Sequence, residues 1–270
     1  MSRRKLHQHA PAALPPARVR RGYFECRHGQ LHVHQAIPGG GGFEEGTALL
    51  ALHAAAYSGG MFTGLLASLG RDRSAFAPDL PGFGASEAPG GLSIAQHTAA
   101  IGDFLDTMRL RQVDVLGCGV GASIALELAA TRPAVRRVVI AALGASDSPA
   151  LPHSADTADA FLAGQWAGAR RDCGADAPLE AIVAACGERL RNAVGSTHAA
   201  AAERDYPLRE RLNGLSQPLL VLHPTEGPRG LGGSGLDVPA QTRHAPCADL
   251  AQLQAAPEPL VAAIRDFLSP

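Results

Sequence analysis

The spacing of apolar positions changes several times along this chain, and each change predicts an element. In "GYFECRHGQLHVHQA", residues 22–36, apolar and polar residues alternate on either side of Gly29, which predicts a β-hairpin. His32 and His34 stand two apart and so share one face of the second run. An H-x-H pair can ligate a metal, but the reading favoured here is an exposed edge-strand face. The glycines at 39–42 predict a flexible loop. "TALLALH", residues 47–53, is apolar without alternation, as a strand covered on both sides of a parallel sheet would be. "SAFAPDLPGFGAS" opens with a short strand and turns at Pro81–Gly82 and Gly84. Ser93 and Gln96 have the spacing of a capping box, and Ile94, Ile101, Leu105 and Met108 fall on one helical stripe. "VDVLG", "ASIALELAA" and "VRRVVIAAL" then read as strand, helix and strand.

The regular pattern loosens between about 145 and 214. Ala158–Gln165, Leu179–Val194 and His198–Leu212 have helical spacing there, and no strand is evident. Order returns with "QPLLVLH" (217–223) and a weaker strand near Gln241–Ala245. A closing amphipathic helix, "PEPLVAAIRDFL", has Pro257 at its start and Leu260, Ile264, Phe267 and Leu268 inward. Strands alternating with helices over about a hundred residues predict an α/β protein with a doubly wound, mostly parallel sheet. The helical segment at 145–214 would then be an insertion over one end of that sheet.

Composition narrows the class of function. The chain has 270 residues, of which 46% are hydrophobic and 18% charged, enough for a substantial core. With 24 Lys+Arg against 25 Asp+Glu, nothing draws it to nucleic acid or to an anionic membrane. Basic residues gather in "MSRRKLHQHAPAALPPARVRR", but Pro11, Pro15 and Pro16 interrupt any apolar region, so residues 1–21 read as a flexible arm. No segment has the roughly 20 apolar residues that cross a bilayer. Five cysteines, an odd number and scattered, argue against a disulfide framework and for a cytoplasmic protein.

One stretch carries most of the functional information. "VDVLGCGVGASIALELA", residues 113–129, leads from an apolar run through Gly117, Gly119 and Gly121 into a helix. With "LLALHAAAYSGGMF", "APDLPGFGAS", "PLLVLHPTEGP" and "APEPLVAAIRDFL", it resembles the α/β-hydrolase superfamily, from about Gly22 to the C-terminus. The resemblance implies a core of residues 22–144 and 215–270 with a helical cap at 145–214. The first of these four segments resembles the family's strand-ending H-G, the second its D-x-P-G-x-G-x-S turn. The glycine stretch resembles the G-x-S-x-G elbow that presents the nucleophile.

That resemblance places glycine, not serine, at the nucleophile: Gly117 and Gly121 flank Gly119. A register slipped by one residue would present Cys118 instead. The acid is expected at Gly227, or at Glu226 in a shorter loop, and the histidine position counted back from Pro257 falls on Leu250. His244 lies six residues earlier. Acyl transfer needs an activated nucleophile and an oriented base, so ordinary serine hydrolysis is not expected. The chain also resembles a branch of the superfamily whose elbow reads G-H-H-T-G. The resemblance further implies that the amides of Ala55 and Val120 form an oxyanion hole. His53, Cys118, His223 and Glu226 lie at carboxyl ends of strands, where open α/β sheets bind ligands. They are a relic, an acid/base set or a His/Cys metal site, although their spacing matches no metal motif. Besides hydrolysis by Cys118 with His223 or His244, two readings follow. In one, the protein acts on a small, partly apolar carbonyl or ester-like molecule between core and cap. In the other it is a catalytically inactive binding or scaffolding protein. Neither reading requires a cofactor.

Overall fold

A computed structural model describes residues 16–39, 46–87, 90–141, 151, 155–174, 176–224, 238–247 and 249–269. In chain order, Val19–Cys26 (β1) and Gly29–Ala36 (β2) form the expected hairpin. Gly46–Leu52 (β3) leads into Thr63–Leu69 (α1) and Arg73–Pro78 (β4). Ile94–Thr107 (α2), Val113–Cys118 (β5), Val120–Thr131 (α3) and Val135–Ala141 (β6) follow. The four helices Ala155–Cys173 (α4), Leu179–Arg191 (α5), Ala193–Arg204 (α6) and Leu208–Asn213 (α7) precede Leu219–His223 (β7). Arg243–Pro246 (β8), Leu250–Ala255 (α8) and Glu258–Leu268 (α9) close the described chain.

The eight strands make one sheet in the order β1-β2-β4-β3-β5-β6-β7-β8. β1, β2 and β4 pair antiparallel, and all pairs from β4 onward are parallel. The α/β class and the mostly parallel sheet are therefore as the sequence predicts. The central strands show why they carry no polar alternation. In β3, Leu49 and Ala51 enter one apolar core with α1, α8 and α9, while Leu50 and Leu52 enter a second with α2 and α3. β7 divides the same way, Leu220 and Leu222 from Leu219 and Val221. With a side-chain period of two, a strand covered on both faces has to be apolar throughout.

α2 starts where its cap predicts. The Ser93 hydroxyl accepts from Gln96 N–H, and the Gln96 side chain accepts from Ser93 N–H at 2.9 Å. Three local expectations change. Val19–Arg21, read as the end of the arm, are the first residues of β1 and pair with His34–Ala36. β2 is not an edge strand, because β1 covers one side and β4 the other. α1 and α8 form where the pattern showed no helix; both are short and are held by apolar contacts such as Leu66 and Leu253 in one core. The glycine loop beyond Gly39 and the start of the insertion at 145 lie outside the described residues.

Candidate functional site

The turn between β5 and α3 is built by three glycines with different tasks. A Cβ on Gly117 would overlap the Gly121 carbonyl, and one on Gly121 would overlap the Leu52 carbonyl, so the pair lets strand and helix cross in contact. Gly119 is the N-cap of α3 with φ 54° and ψ −127°, a backbone region that side chains rarely adopt. The turn residue is thus Gly119, and Cys118 is the last residue of β5. A Cβ at 119 would stand 3.3 Å from the Ala54 Cβ and 3.4 Å from its Cα. Ala54 follows His53 where the H-G pattern has glycine, so its methyl group closes in on the space a side chain at 119 would need.

The neighbouring side chains are held in specific ways. His53 is fully buried. Its Nδ1 donates to its neighbour's Ala54 O at 2.9 Å, while Nε2 accepts from Leu80 N–H at 2.8 Å. Both ring nitrogens are occupied by backbone, which fixes the tautomer and ties the end of β3 to the turn after β4. Burial lowers the His53 pKa and keeps the ring neutral. Cys118 is also buried, on the α1, α8 and α9 face of the sheet, and burial pushes its thiol up to about 12. Cys247, nearby on the same face, is raised to about 12 as well. Thiols in such surroundings are protonated and inert.

His223 ends β7 and is 9% exposed. Its Nδ1 lies 2.8 Å from Pro224 O, an arrangement that leaves the lone pair on Nε2. The exposed His244 ring sits 5.4 Å from it, on β8 as expected. Leu250, the position the resemblance gives to a histidine, is the first residue of α8 and packs into the apolar core; Asp249 caps that helix by accepting from Gln252 N–H at 2.8 Å. Glu226 and Gly227 lie outside the described residues. The amides of Ala55 and Val120 flank the Gly119 turn, one after β3 and the other at the start of α3.

Sequence reasoning passed over the residues by which the helices between β6 and β7 grip this end of the sheet. Ser196 Oγ donates to Ala55 O at 2.6 Å, and Asn192 Oδ1 accepts from Gly84 N–H at 2.9 Å. Tyr57 and Arg189 both donate to Asp172 Oδ2 at 2.6 Å. Asn192 and Ser196 stand four apart, one polar face of a mostly Ala-rich helix, which is the signal that was available. Glu203, further along α6, was also passed over. Burial alone raises its carboxyl to about 7, and it lies near enough to help raise the Cys118 thiol. A carboxyl poised near neutrality is a group that can exchange protons at physiological pH.

Comparison with known proteins agrees with this architecture. Residues 47–177 match a family model described as the alpha/beta hydrolase fold. The chain has the fold of the α/β-hydrolase superfamily. Solved structures that it resembles include the enol-lactonase from Burkholderia xenovorans LB400, at TM-score 0.73 and 19% identity over 92% of this chain and all of that one (100%). The N-acyl homoserine lactonase AidH, crystallised as a mutant with N-hexanoyl homoserine lactone, matches at TM-score 0.68 and 21% identity over 92% and 97% of the two chains. The epoxide hydrolase CorEH matches at 0.69 and 17%, over 93% and 98%. At these identities the likeness is one of fold. No curated protein sequence matches the chain.

This hydrolase-fold chain also has a cavity of about 610 Å³ to one side of the turn, between the β1–β2 end of the sheet and α5. His32, His34, Tyr57, Ser58, Asp79 and Glu188 are among its lining residues. The expectation of an exposed H-x-H face is corrected here. His32 and His34 are only 8% and 6% exposed, because β2 is an inner strand and its face is covered by the segment after β3 and by the β4 turn. Among the described residues, no helix is long and apolar enough to cross a membrane.

Proposed function

We propose that this protein holds a small, partly apolar carbonyl or ester-like molecule at the Gly119 turn, with residues 145–214 acting as a cap over a core of 22–144 and 215–270. In this reading it does not carry out serine hydrolysis. The observation that carries the proposal is Gly119 itself: the backbone keeps the strained turn while the nucleophilic side chain is missing. The amides of Ala55 and Val120 then polarise a carbonyl oxygen, since backbone donors survive side-chain replacement. Glu203, near neutrality, gives or takes a proton, and His223 Nε2 is the second group suited to that task.

A second reading, a binding protein without catalysis, is favoured by His53 and Cys118. One has both nitrogens on backbone groups and the other is a buried thiol, so neither is available to a ligand. N-Hexanoyl homoserine lactone, present in the AidH complex, is a suitable acyl probe. The purified chain is expected to bind it in calorimetry and to resist labelling by a fluorophosphonate. Product seen by NMR that disappears in Glu203→Gln sustains the acid–base reading; binding without product sustains the second. Stoichiometric labelling of a serine, with turnover of p-nitrophenyl butyrate, would overturn both.

A further inference from the structure

His32, His34 and Asp79 form a cluster that the turn at Gly119 does not use. Successive residues of β2 point to opposite faces, so His32 and His34 project together across to the β4 end, where Asp79 begins the turn. His32 Nδ1 lies 2.9 Å from Asp79 Oδ2, and His34 Nε2 lies 3.7 Å from Asp79 Oδ1. One ligand atom from each of the three residues falls within 4.8 Å of the others. All three are buried, yet all line the cavity beside α5.

We propose that this cluster is a binding site for a divalent transition-metal cation of the zinc or cobalt class, held by His32 Nδ1, His34 Nε2 and the Asp79 carboxylate. Two imidazoles and one carboxylate are ligands that such ions accept, at bond lengths of about 2.0–2.2 Å. The atom separations of 2.9 and 3.7 Å bracket what those lengths require around one centre. The carboxylate is already oriented, as Oδ1 accepts from Gly59 N–H at 2.8 Å and Oδ2 from Ala85 N–H at 2.9 Å. Each oxygen keeps a second lone pair for the metal. The outer partners are fixed as well: Ser86 Oγ donates to Asp79 O at 2.7 Å and accepts from His32 N–H at 2.9 Å. Since two backbone amides satisfy Asp79, the turn does not need the histidines. His34 in particular is buried at a separation too long for a hydrogen bond to Asp79. On binding, His32 Nδ1 gives up the proton it directs at Asp79 and turns its lone pair to the metal, with Nε2 carrying the ring N–H. Three protein ligands leave open positions facing the cavity, and Arg21 and Arg191 on its wall suit them to water or an anion.

The test uses the full chain, stripped with a chelator and titrated with Zn²⁺ and with Co²⁺. One tight equivalent is expected, with visible cobalt absorption and a rise in Tm. His34→Gln should weaken affinity about tenfold or more and cancel the rise in Tm. It should also fold normally, because His34 makes no hydrogen bond to Asp79. His32→Gln should likewise weaken Zn²⁺ affinity and cancel the rise in Tm. In the parent, ¹⁵N spectra should show Zn²⁺ shifting His32 Nδ1 and His34 Nε2. That reading distinguishes the cluster from other histidines, such as His7 and His9, even if a variant fails to fold. No stoichiometric uptake, equal uptake by both variants, or shifts at other histidines alone would overturn the proposal.

Discussion

At the turn after β5 the distinctive feature is backbone geometry around a residue with no side chain; at the β2–β4 cluster, on the same sheet, it is a convergence of side chains. Around Gly119 the φ is 54° and strand and helix cross closely, while His53 is tied to backbone and Cys118 is buried as a thiol. His32 and His34 instead meet a carboxylate fixed by two amides. Backbone geometry at the turn is set by glycine placement and strand packing, and does not depend on which side chain the turn carries. Convergent side chains need several exact neighbours, and one substitution disperses them.

Asp79 gives the largest expected effect. Asp79→Ala leaves two amide donors and His32 without their acceptor in a buried place, and should lower stability by about 3–5 kcal/mol. Urea midpoints measure it. A loss below about 1 kcal/mol would mean the cluster is not the organised region described here.

The second expectation concerns acid. His97, in α2 beside Phe83 and thus on the His53 side, has its pKa lowered to about 4, chiefly by burial. Its folded value lies below the 6.5 of the unfolded chain. Between pH 6.5 and 4 the unfolded state therefore binds more protons, and stability falls as pH falls, by about 1.4 kcal/mol per pH unit. Below about 4 the contribution levels off. His97→Leu should flatten that limb in urea titrations at pH 7, 5.5 and 4.5; an unchanged slope would assign the acid sensitivity to another region.

Gly119→Ser comes third. Its side chain would enter a strained φ and meet the Ala54 methyl at 3.3 Å, so a loss of roughly 1–3 kcal/mol is expected. Ala54→Gly in the same chain should recover part of this by removing the contact. Ester turnover should stay absent in both, since Leu250 offers no base. A serine variant more stable than the parent contradicts the strain assigned to this turn.

The smallest effect is a rate order. With thiols pushed up to about 12, Cys118 and Cys247 should be the last of the five cysteines alkylated by iodoacetamide, as read by mass spectrometry. Early modification of Cys118 would show a thiolate at the turn and blur the contrast between the two regions.

Much of the fold is readable in the residue pattern, because a strand covered on both faces is apolar at successive positions, as in "ALLAL" (48–52) and "LLVL" (219–222). The Ser93–Gln96 cap is local and equally legible. α1 and α8 are not, since seven and six residues carry too little periodicity and form only through tertiary contact. At the turn, glycine spacing indicated the register, which the positive φ of Gly119 matches.

The sequence alone determined the alternation of strands and helices, the place of the sharp turn, and that glycine stands in it, because each depends on residues close together in the chain. Only the tertiary structure decided that β2 lies inside the sheet, that both His53 nitrogens meet backbone, and that Asp79 faces two histidines more than forty residues before it. Strand order and burial arise from contacts between distant segments, and no local pattern of apolar and polar residues encodes which segment will cover a given face.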